Sequence, residues 1–249
     1  MRVNLKIANV AKETGALLTE YLEDRGLIID RASPISISYG IPSSQRRALN
    51  DKCGGGDKIR RLNQMQDGGC RTVPWFSGIK VPDGFQFPAL ARKISGHGGE
   101  DLVPVFQSEE VPWRLEAGWA WFSSYVPVRT EFRVWIFRDE CLGVYEKTMK
   151  RPQDYQYVAG RNFRMGFDFI PCRMKDVPVE AITQAKRAIR ALSFDFGAVD
   201  LLLGKNGLVY LLEVNTAPGC LKSHAEPTLA KLADRMVTWV QSGCPDRNY

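Results

Sequence analysis

The sequence predicts an α+β protein whose sheets are mostly antiparallel. Amphipathic helical segments lie near the start, the middle and the end of the chain, and strand-like runs lie between them. Several of these runs follow one another without an intervening helix, which favours antiparallel pairing. The dipeptide Asn206-Gly207 between two apolar runs also predicts a tight hairpin.

Composition narrows the class of protein. The 249 residues, 44% hydrophobic and 25% charged, suit a soluble globular protein with a sizeable core. No apolar run reaches the roughly 18 residues of a membrane span. The first residues lack a signal-peptide core, and the six cysteines form no Cys-x-x-Cys pair, so we expect a cytoplasmic protein with reduced thiols. Two histidines exclude a His-rich metal site, and the net charge of +6 suits an anionic ligand.

Residues 1–50 form the first predicted domain, a small strand-helix-strand unit. Its helix covers residues 12–25, with Leu18 and Leu22 at helical spacing and Gly26 as the stop signal. Residues 35–40 alternate like a strand.

Residues 51–125 form the second predicted domain. A flexible glycine loop precedes a helix over residues 57–65, which Gly68-Gly69 ends. Strands are predicted over 87–94 and 119–126, and a glycine-rich loop follows the first of them.

Residues 126–249 form the third predicted domain. Strands are expected over 131–137 and 143–147, and an amphipathic helix over 180–192. The hairpin around Asn206-Gly207 follows, and a helix over 231–240 comes near the end of the chain.

The hairpin carries the most informative residues. If it is centred on Asn206-Gly207, opposing residue numbers sum to 413, so Asp200 faces Glu213. Asn215 lies on the same face because strand side chains alternate. Two carboxylates directly opposite each other repel, and a divalent cation bound to such oxygen ligands removes the conflict. The alternative is a solvated sheet face that binds nothing.

A basic residue and a glycine-rich loop form the second cluster. Lys93 precedes Ser95, Gly96, His97, Gly98 and Gly99, whose backbone N–H groups could approach an anion closely. The pattern is neither a Walker A loop nor a Rossmann fingerprint. An ordinary surface loop remains the alternative.

Asp200-Leu201-Leu202, followed by Glu213-Val-Asn-Thr-Ala-Pro-Gly219, resembles the metal-binding end of ATP-grasp ligases. The resemblance covers about residues 57–220 and is closest to the glutamyl-ligase-like branch that modifies ribosomal proteins and peptides. It implies the ATP-grasp fold, in which two α+β lobes clasp ATP, here with a shortened N-terminal domain. It also implies ATP and Mg²⁺, or Mn²⁺, as cofactors, with the metal on Asp200, Glu213 and Asn215.

The same resemblance implies roles for residues of the nucleotide site. Lys93 and residues 95–99 would close over the phosphates, and Lys58 would be the first nucleotide-contacting lysine, with Lys52 as its competitor. The adenine edge would pair with backbone groups of the hinge, which is formed by Ser124, Tyr125 and Val126.

Four further residues complete the implied site. Glu131 would hold the ribose hydroxyls, although an Arg–Glu pair on a sheet surface is an equal alternative. Arg133 would reach the reacting phosphate. Lys147 and Arg161 would contact phosphates or metal.

The resemblance implies an ATP-dependent carboxylate–amine ligase that forms an acyl phosphate and releases ADP. Its substrates would be small-molecule or peptide carboxylates and amines, with no membrane partner. Two alternatives stay open at this stage. One is a nucleotidyl- or phosphotransferase acting on nucleic acid, whose binding would fall steeply with salt. The other is a non-catalytic nucleotide-binding module.

Overall fold

The computed structural model describes residues 1–53, 57–94, 102–149, 167–219 and 225–247. The predicted glycine-rich loop at residues 95–99, and Arg161, lie outside the described residues. Among the described residues, no helix combines the length and the apolarity that crossing a membrane requires.

The N-terminal unit is a four-stranded sheet with one helix. Its elements are β1 (Arg2–Ile7), α1 (Lys12–Asp24), β2 (Ile28–Ile29), β3 (Ile35–Tyr39) and β4 (Arg47–Leu49). The strand order is β2-β1-β3-β4, and all pairs are parallel. The predicted strand-helix-strand start is confirmed, and Gly26 follows α1 with a φ of +83°, a conformation that favours glycine. The parallel pairing and the two short edge strands were not predicted.

A second sheet forms the small lobe. This segment contains α2 (Lys58–Asp67), β5 (Trp75–Ser77), β6 (Ala89–Arg92), β7 (Val103–Val105), α3 (Val111–Glu116) and β8 (Trp121–Ser124). The strands pair antiparallel in the order β5-β8-β6-β7. One face of this sheet, which we call the outer face, packs Phe76, Ala89, Ala91 and Phe122 against Val111 of α3.

The third sheet forms the large lobe. Its elements are β9 (Val128–Phe137), β10 (Glu140–Met149), β11 (Phe167–Pro171), α4 (Val179–Ala191), β12 (Phe196–Gly204), β13 (Val209–Asn215) and α5 (Glu226–Gln241). All five strands pair antiparallel in the order β11-β10-β9-β12-β13. Two of the three sheets are therefore antiparallel, which confirms the predicted α+β class.

The two faces of the large sheet pack against different partners. On one face, Val134, Ile136 and Val199 join a core with α4, and Leu62 of α2 packs into the same core. On the other face, Trp135 joins a core with α5 and the N-terminal unit. The rest of this second face carries the polar residues of the candidate site.

The hairpin of β12 and β13 has two registers. Asp200 pairs with Glu213, which confirms the predicted sum of 413, but beyond a bulge Leu201 pairs with Leu211 and the sum is 412. The prediction that the hairpin is centred on Asn206-Gly207 is therefore wrong. Residues 205–208 connect the two strands, and the Gly204 N–H donates to the Leu208 carbonyl at 2.9 Å. The extra residue in β13 restores the register that brings the carboxylates together.

Asp195, a buried carboxylate just before β12, fixes the N-terminal unit to the large lobe. It accepts the Asn50 backbone N–H at 2.6 Å and pairs with Arg138 at 3.2 Å. Arg247, in the tail after α5, lies 3.5 Å from the same carboxylate. Three distant parts of the chain thus meet at one buried charge.

Candidate active site

Cross-strand pairing places the predicted site residues in rows on the large sheet. Asp200 of β12 lies opposite Glu213 of β13 on one side and opposite Arg133 of β9 on the other. Because strand side chains alternate, these three share a face. Two residues before Arg133 in β9, Glu131 begins a second row. In this row, Lys147 of β10 lies opposite Phe169 of β11. The sheet therefore collects residues that are up to 82 positions apart in sequence, Glu131 to Glu213.

Asp200 and Arg133 form a two-pronged ion pair. The Arg133 Nε and Nη2 atoms donate to the two carboxylate oxygens, each at 2.7 Å. The side chains are 7% and 15% exposed, so the pair is shielded from water. Burial alone would raise the pKa of Asp200, but the charge and hydrogen bonds of Arg133, with the charge of Lys147, outweigh burial and lower it.

Glu131 and Lys147 form a second buried ion pair. The Lys147 Nζ atom donates to Glu131 Oε1 at 2.5 Å. The Phe169 ring lies beside both cations, with its centroid 4.2 Å from the Arg133 guanidinium carbon and 5.8 Å from Lys147 Nζ. This is not the surface Arg–Glu pair that was the alternative, because Glu131 is buried and its partner in this ion pair is Lys147. Its role toward ribose stays a prediction.

The other two predicted metal ligands are more accessible. Glu213 is exposed, and Asn215 is partly exposed. The Asn215 side-chain oxygen accepts the Ala217 backbone N–H at 3.0 Å, which leaves a second lone pair. Within the described ranges, no three His, Cys, Asp or Glu side chains form a metal-binding group. Two carboxylates and one amide oxygen nevertheless match the oxygen donors that Mg²⁺ prefers, so the set fits this metal.

The small lobe turns Arg92, rather than Lys93, toward the large lobe. Arg92 lies opposite Trp121, its Nε donates to Ser123 Oγ at 2.9 Å, and its guanidinium lies 5.0 Å from the Trp121 ring centroid. Lys93 points the other way, with Nζ 5.2 Å from the ring of Trp119, which packs against the outer face.

The electrostatics agree with this orientation of Arg92. Burial lowers the pKa of Arg92, and the charges of Glu213 and Glu131 in the large lobe partly oppose that shift. Sequence reasoning missed Arg92 because the pattern shows only a basic dipeptide at the end of a strand. The role of Lys93 as the phosphate-binding lysine stays a prediction, and Arg92 is its better-placed competitor.

The hinge between the lobes offers backbone groups at Val126. The Ser124 N–H is donated to Pro74 at 2.8 Å, and the Tyr125 N–H to Pro88 at 2.8 Å. No described residue takes up the Val126 N–H, so it can pair with a ligand. The Ser124 side chain is directed to the outer face, since Ser124 lies opposite Ala89. Ser124, Tyr125 and Val126 thus remain the predicted adenine-binding segment, with Val126 as the accessible donor.

Helix α2 contributes charge near the hairpin. Asp57 caps it by accepting the Ile59 N–H at 2.9 Å, and Lys58 is its first residue. Burial lowers the pKa of Arg61, whereas Cys53 and Glu213 raise it, so Arg61 lies within electrostatic reach of the candidate metal site. Arg61 was not predicted. Lys52 and Lys58 both remain candidates for contact with nucleotide.

Comparison with known proteins gives one curated relative. No protein-family model matches the chain. A D-alanine–D-alanine ligase from Geobacter sulfurreducens is 28% identical over 159 residues, which cover 60% of this chain and 49% of the relative. The chain therefore spans about half the length of the curated relative it matches.

Solved structures share the architecture over nearly the whole chain. The D-alanine–D-alanine ligase from Bacillus anthracis superposes with a TM-score of 0.65 at 15% identity, covering 98% of this chain and 99% of that one. The ATP-grasp ligase PsnB complexed with minimal precursor has a TM-score of 0.66 at 11% identity, covering 95% and 98%. A RiPP-associated ATP-grasp ligase from Chryseobacterium gregarium has a TM-score of 0.65 at 11% identity, covering 100% and 98%.

These likenesses define a two-lobed fold shared with nucleotide-dependent ligases. They show that the chain has the ATP-grasp fold. The predicted fold is thus confirmed. The affinity to the glutamyl-ligase-like branch stays a prediction.

Proposed function

We propose that this protein is an ATP-dependent carboxylate–amine ligase that works through an acyl phosphate and releases ADP and phosphate. The observation that carries the proposal is the row Glu213, Asp200 and Arg133 on the large sheet, with Arg92 directed toward it from the small lobe. Carboxylates and guanidinium groups on facing surfaces are what a bound triphosphate with its metal requires.

The reaction uses two displacements. A carboxylate oxygen of the first substrate attacks the γ-phosphorus of ATP, and the bond from that phosphorus to the β,γ-bridging oxygen breaks. The amine of the second substrate then attacks the acyl carbon, phosphate leaves, and the nitrogen loses a proton. Phosphoryl transfer needs positioning and charge stabilisation more than covalent help from the protein.

The protein groups have separate tasks in this scheme. Arg92 binds the phosphates from the small lobe, and Arg133 stabilises charge on the transferring group. Lys147 and Glu131 support Arg133 through the charges and the Phe169 ring beside it. Val126 pairs with the base edge at the hinge.

The metal ligands of the proposal are Asp200, Glu213 and Asn215. Mg²⁺ held there would neutralise part of the phosphate charge, and Mn²⁺ would suit the same oxygen donors. The predicted contributions of residues 95–99 and Arg161 belong to the proposal but lie outside the described residues.

The substrate class is a small molecule or a peptide. The curated relative is named as joining two D-alanines, whereas PsnB and the Chryseobacterium enzyme were solved with peptides. Both classes supply a carboxylate and an amine, and they define the pool to be tested first.

Product analysis tests the proposal. The protein is incubated with ATP and Mg²⁺, with and without a pool of amino acids and peptides, and ADP is separated from AMP. We expect ADP that rises with the pool. AMP as the product would instead indicate nucleotidyl transfer and would refute the ligase proposal.

Glu213→Ala provides the matched variant. Since Glu213 is exposed, we expect the fold to survive and turnover to disappear. Glu23→Ala, at an exposed position of α1, removes the same charge far from the site and should retain full turnover. Full activity in Glu213→Ala would rule out the metal assignment.

A further inference from the structure

Each carboxylate oxygen of Asp200 already has a hydrogen-bond partner in the structure. Both oxygens accept hydrogen bonds from Arg133 at 2.7 Å, and the pair is largely shielded from water. Charge-assisted two-pronged pairs of this kind are among the strongest polar contacts in proteins. Each oxygen keeps a second lone pair, but a cation bound there would lie beside the Arg133 guanidinium, whose positive charge repels it.

Arg133 is held in place by more than Asp200. Its guanidinium lies 4.2 Å from the centroid of the Phe169 ring, and the neighbouring Glu131–Lys147 pair continues the alternation of charges across the sheet. The four charges in these two pairs compensate one another, so Asp200 itself does not require an additional positive charge.

The surroundings of Glu213 differ from those of Asp200, but they also oppose the binding of a free divalent cation. It forms no salt bridge with any described residue, yet its charge acts on Arg61 and Arg92 across the cleft. A free divalent cation approaching Asp200 and Glu213 therefore meets three guanidinium groups, from Arg133, Arg61 and Arg92. Repulsion by these groups opposes its binding.

We propose that Arg133 is an internal counter-ion of Asp200 that keeps free divalent cations out until a nucleotide arrives. This inference rests on the proposed function. The triphosphate supplies new anionic partners for Arg133 and Arg92, and the release of Asp200 then completes the metal site. The protein thus takes its metal with the nucleotide and binds it poorly beforehand. Arg133 is a gating residue in this step, in addition to its proposed contact with phosphate.

The proposal predicts how Mn²⁺ binding responds to Arg133. Free Mn²⁺ is measured by electron paramagnetic resonance in a titration of the protein without nucleotide. Arg133→Met should bind Mn²⁺ about tenfold more tightly than the wild type, because the binding-competent form of Asp200 no longer has to be released from its partner. Equal affinities in the two proteins would overturn the proposal.

A charge-matched control separates this effect from a change in net charge. Arg129→Met removes one positive charge at an exposed position of the same strand, and Arg129 has no contact with Asp200. Its Mn²⁺ affinity should equal that of the wild type. An increase as large as that in Arg133→Met would mean that the effect is only general electrostatics, and would refute the specific role of Arg133.

A second variant covers a failure of Arg133→Met to fold. Arg133→Lys keeps the charge but cannot form the two-pronged pair. We expect a Mn²⁺ affinity above that of the wild type and below that of Arg133→Met. A wild-type affinity in Arg133→Lys would count against the proposal.

Nucleotide binding is measured separately, so that the two proposals can fail independently. The wild type is titrated with AMP-PNP in EDTA by calorimetry, and the AMP-PNP complex is then titrated with Mn²⁺ while water-proton relaxation is followed. We expect nucleotide to bind without metal and to tighten Mn²⁺ binding by at least about tenfold. No nucleotide binding would refute the ATP-dependent function, whereas nucleotide binding with unchanged Mn²⁺ affinity would refute only the gating role.

Discussion

The two lobes present opposite kinds of charge arrangement to the cleft between them. On the large lobe, four ionised groups are paired as Asp200 with Arg133 and Glu131 with Lys147, and only the exposed Glu213 beside them lacks a salt bridge to a described residue. The small lobe carries Arg92, which has one hydrogen bond, to Ser123 Oγ, and one aromatic contact. No described carboxylate lies within salt-bridge distance of Arg92.

This difference indicates which lobe contributes most to the binding free energy of a charged ligand. Burial lowers the pKa of Arg92, which means that its charged form is disfavoured where it lies. Four charges of the large lobe already compensate one another. An anion that enters the cleft therefore gains most from the small lobe, whereas a cation bound to Asp200 would lie beside the paired guanidinium of Arg133. A partly buried charge without a salt-bridge partner is typical of functional sites.

The largest expected effect comes from breaking the buried pair of the large lobe. Arg133→Met leaves Asp200 ionised, shielded from water and without its partner. We expect the free energy of unfolding to fall by about 3 kcal/mol, measured by urea denaturation at pH 7. A double-mutant cycle with Asp200→Asn isolates the pair, and the combined variant should lose less than the sum of the single losses. A loss below about 1 kcal/mol would mean that this pair contributes no more to stability than a surface ion pair.

Removing the uncompensated charge of the small lobe should act on binding and not on folding. We expect Arg92→Met to weaken AMP-PNP binding by about 10- to 100-fold, the value of one or two charge-assisted hydrogen bonds, with unchanged stability. Lys93→Met is the matched control and should change the affinity by less than about threefold. Isothermal titration calorimetry on both variants gives the comparison. A greater loss in Lys93→Met would restore Lys93 as the phosphate-binding residue.

The outer face of the small lobe predicts a smaller effect of opposite sign. Ser124 Oγ is buried there and has no hydrogen-bond partner among the described residues. Ser124→Ala should therefore raise the free energy of unfolding by about 1 kcal/mol, because an unsatisfied buried hydroxyl is removed. Thermal denaturation measures this change. The AMP-PNP affinity should stay the same, and a clear loss would mean that the hydroxyl faces the nucleotide.

The smallest expected effect on stability belongs to an exposed ion pair between helix α5 and strand β10 of the large sheet. Arg235 donates to both oxygens of Glu140 at 2.5 and 2.6 Å, but the side chains are 43% and 46% exposed. Hydrogen bonding to Arg235, together with its charge, outweighs burial and lowers the pKa of Glu140 below its usual 4.5. Because of solvent screening, we expect the pair to contribute less than about 0.5 kcal/mol at pH 7.

The sign of the pH dependence follows from the lowered pKa of Glu140. The contribution is present above the pKa of the unfolded chain and is lost as pH falls through the lower pKa of the folded protein. The stability difference between the wild type and Glu140→Gln should therefore shrink toward zero below about pH 4.5. A difference that grows on acidification would contradict the pKa direction.

The sequence was sufficient for features that depend on local pattern. Periodicity and glycine stop signals predicted α1, α2, α4 and the hairpin close to their observed bounds. The Asp200–Glu213 pair was also predicted, because a short connection fixes which residues oppose each other. The predicted turn was wrong, but the extra residue of the bulge in β13 keeps Asp200 opposite Glu213. A bulge depends on packing around the strand, so the turn dipeptide alone does not reveal it.

Features that depend on distant pairing were not predictable. Arg133 and Asp200 are 67 residues apart, and they meet because β9 and β12 are neighbours in the sheet although two strands and a helix separate them in sequence. The choice between Arg92 and Lys93 depends on which face of β6 is turned to the large lobe. The three-residue strands β4 and β7 are too short for periodicity to be recognised.

The anchoring at Asp195 has a mechanical consequence. Because this carboxylate contacts Asn50, Arg138 and Arg247, the N-terminal unit and the large lobe are joined into one unit. The chain segment that leads into the small sheet is attached to the large lobe as far as Thr72, which forms a β-bridge with Leu211.

The sheet between Pro74 and Ser124 is joined to the large lobe by the chain at two points, Val73 and Tyr125-Val126. We expect nucleotide to be bound more tightly when this one sheet rotates and brings Arg92 closer to Asp200 and Glu213 of the large lobe.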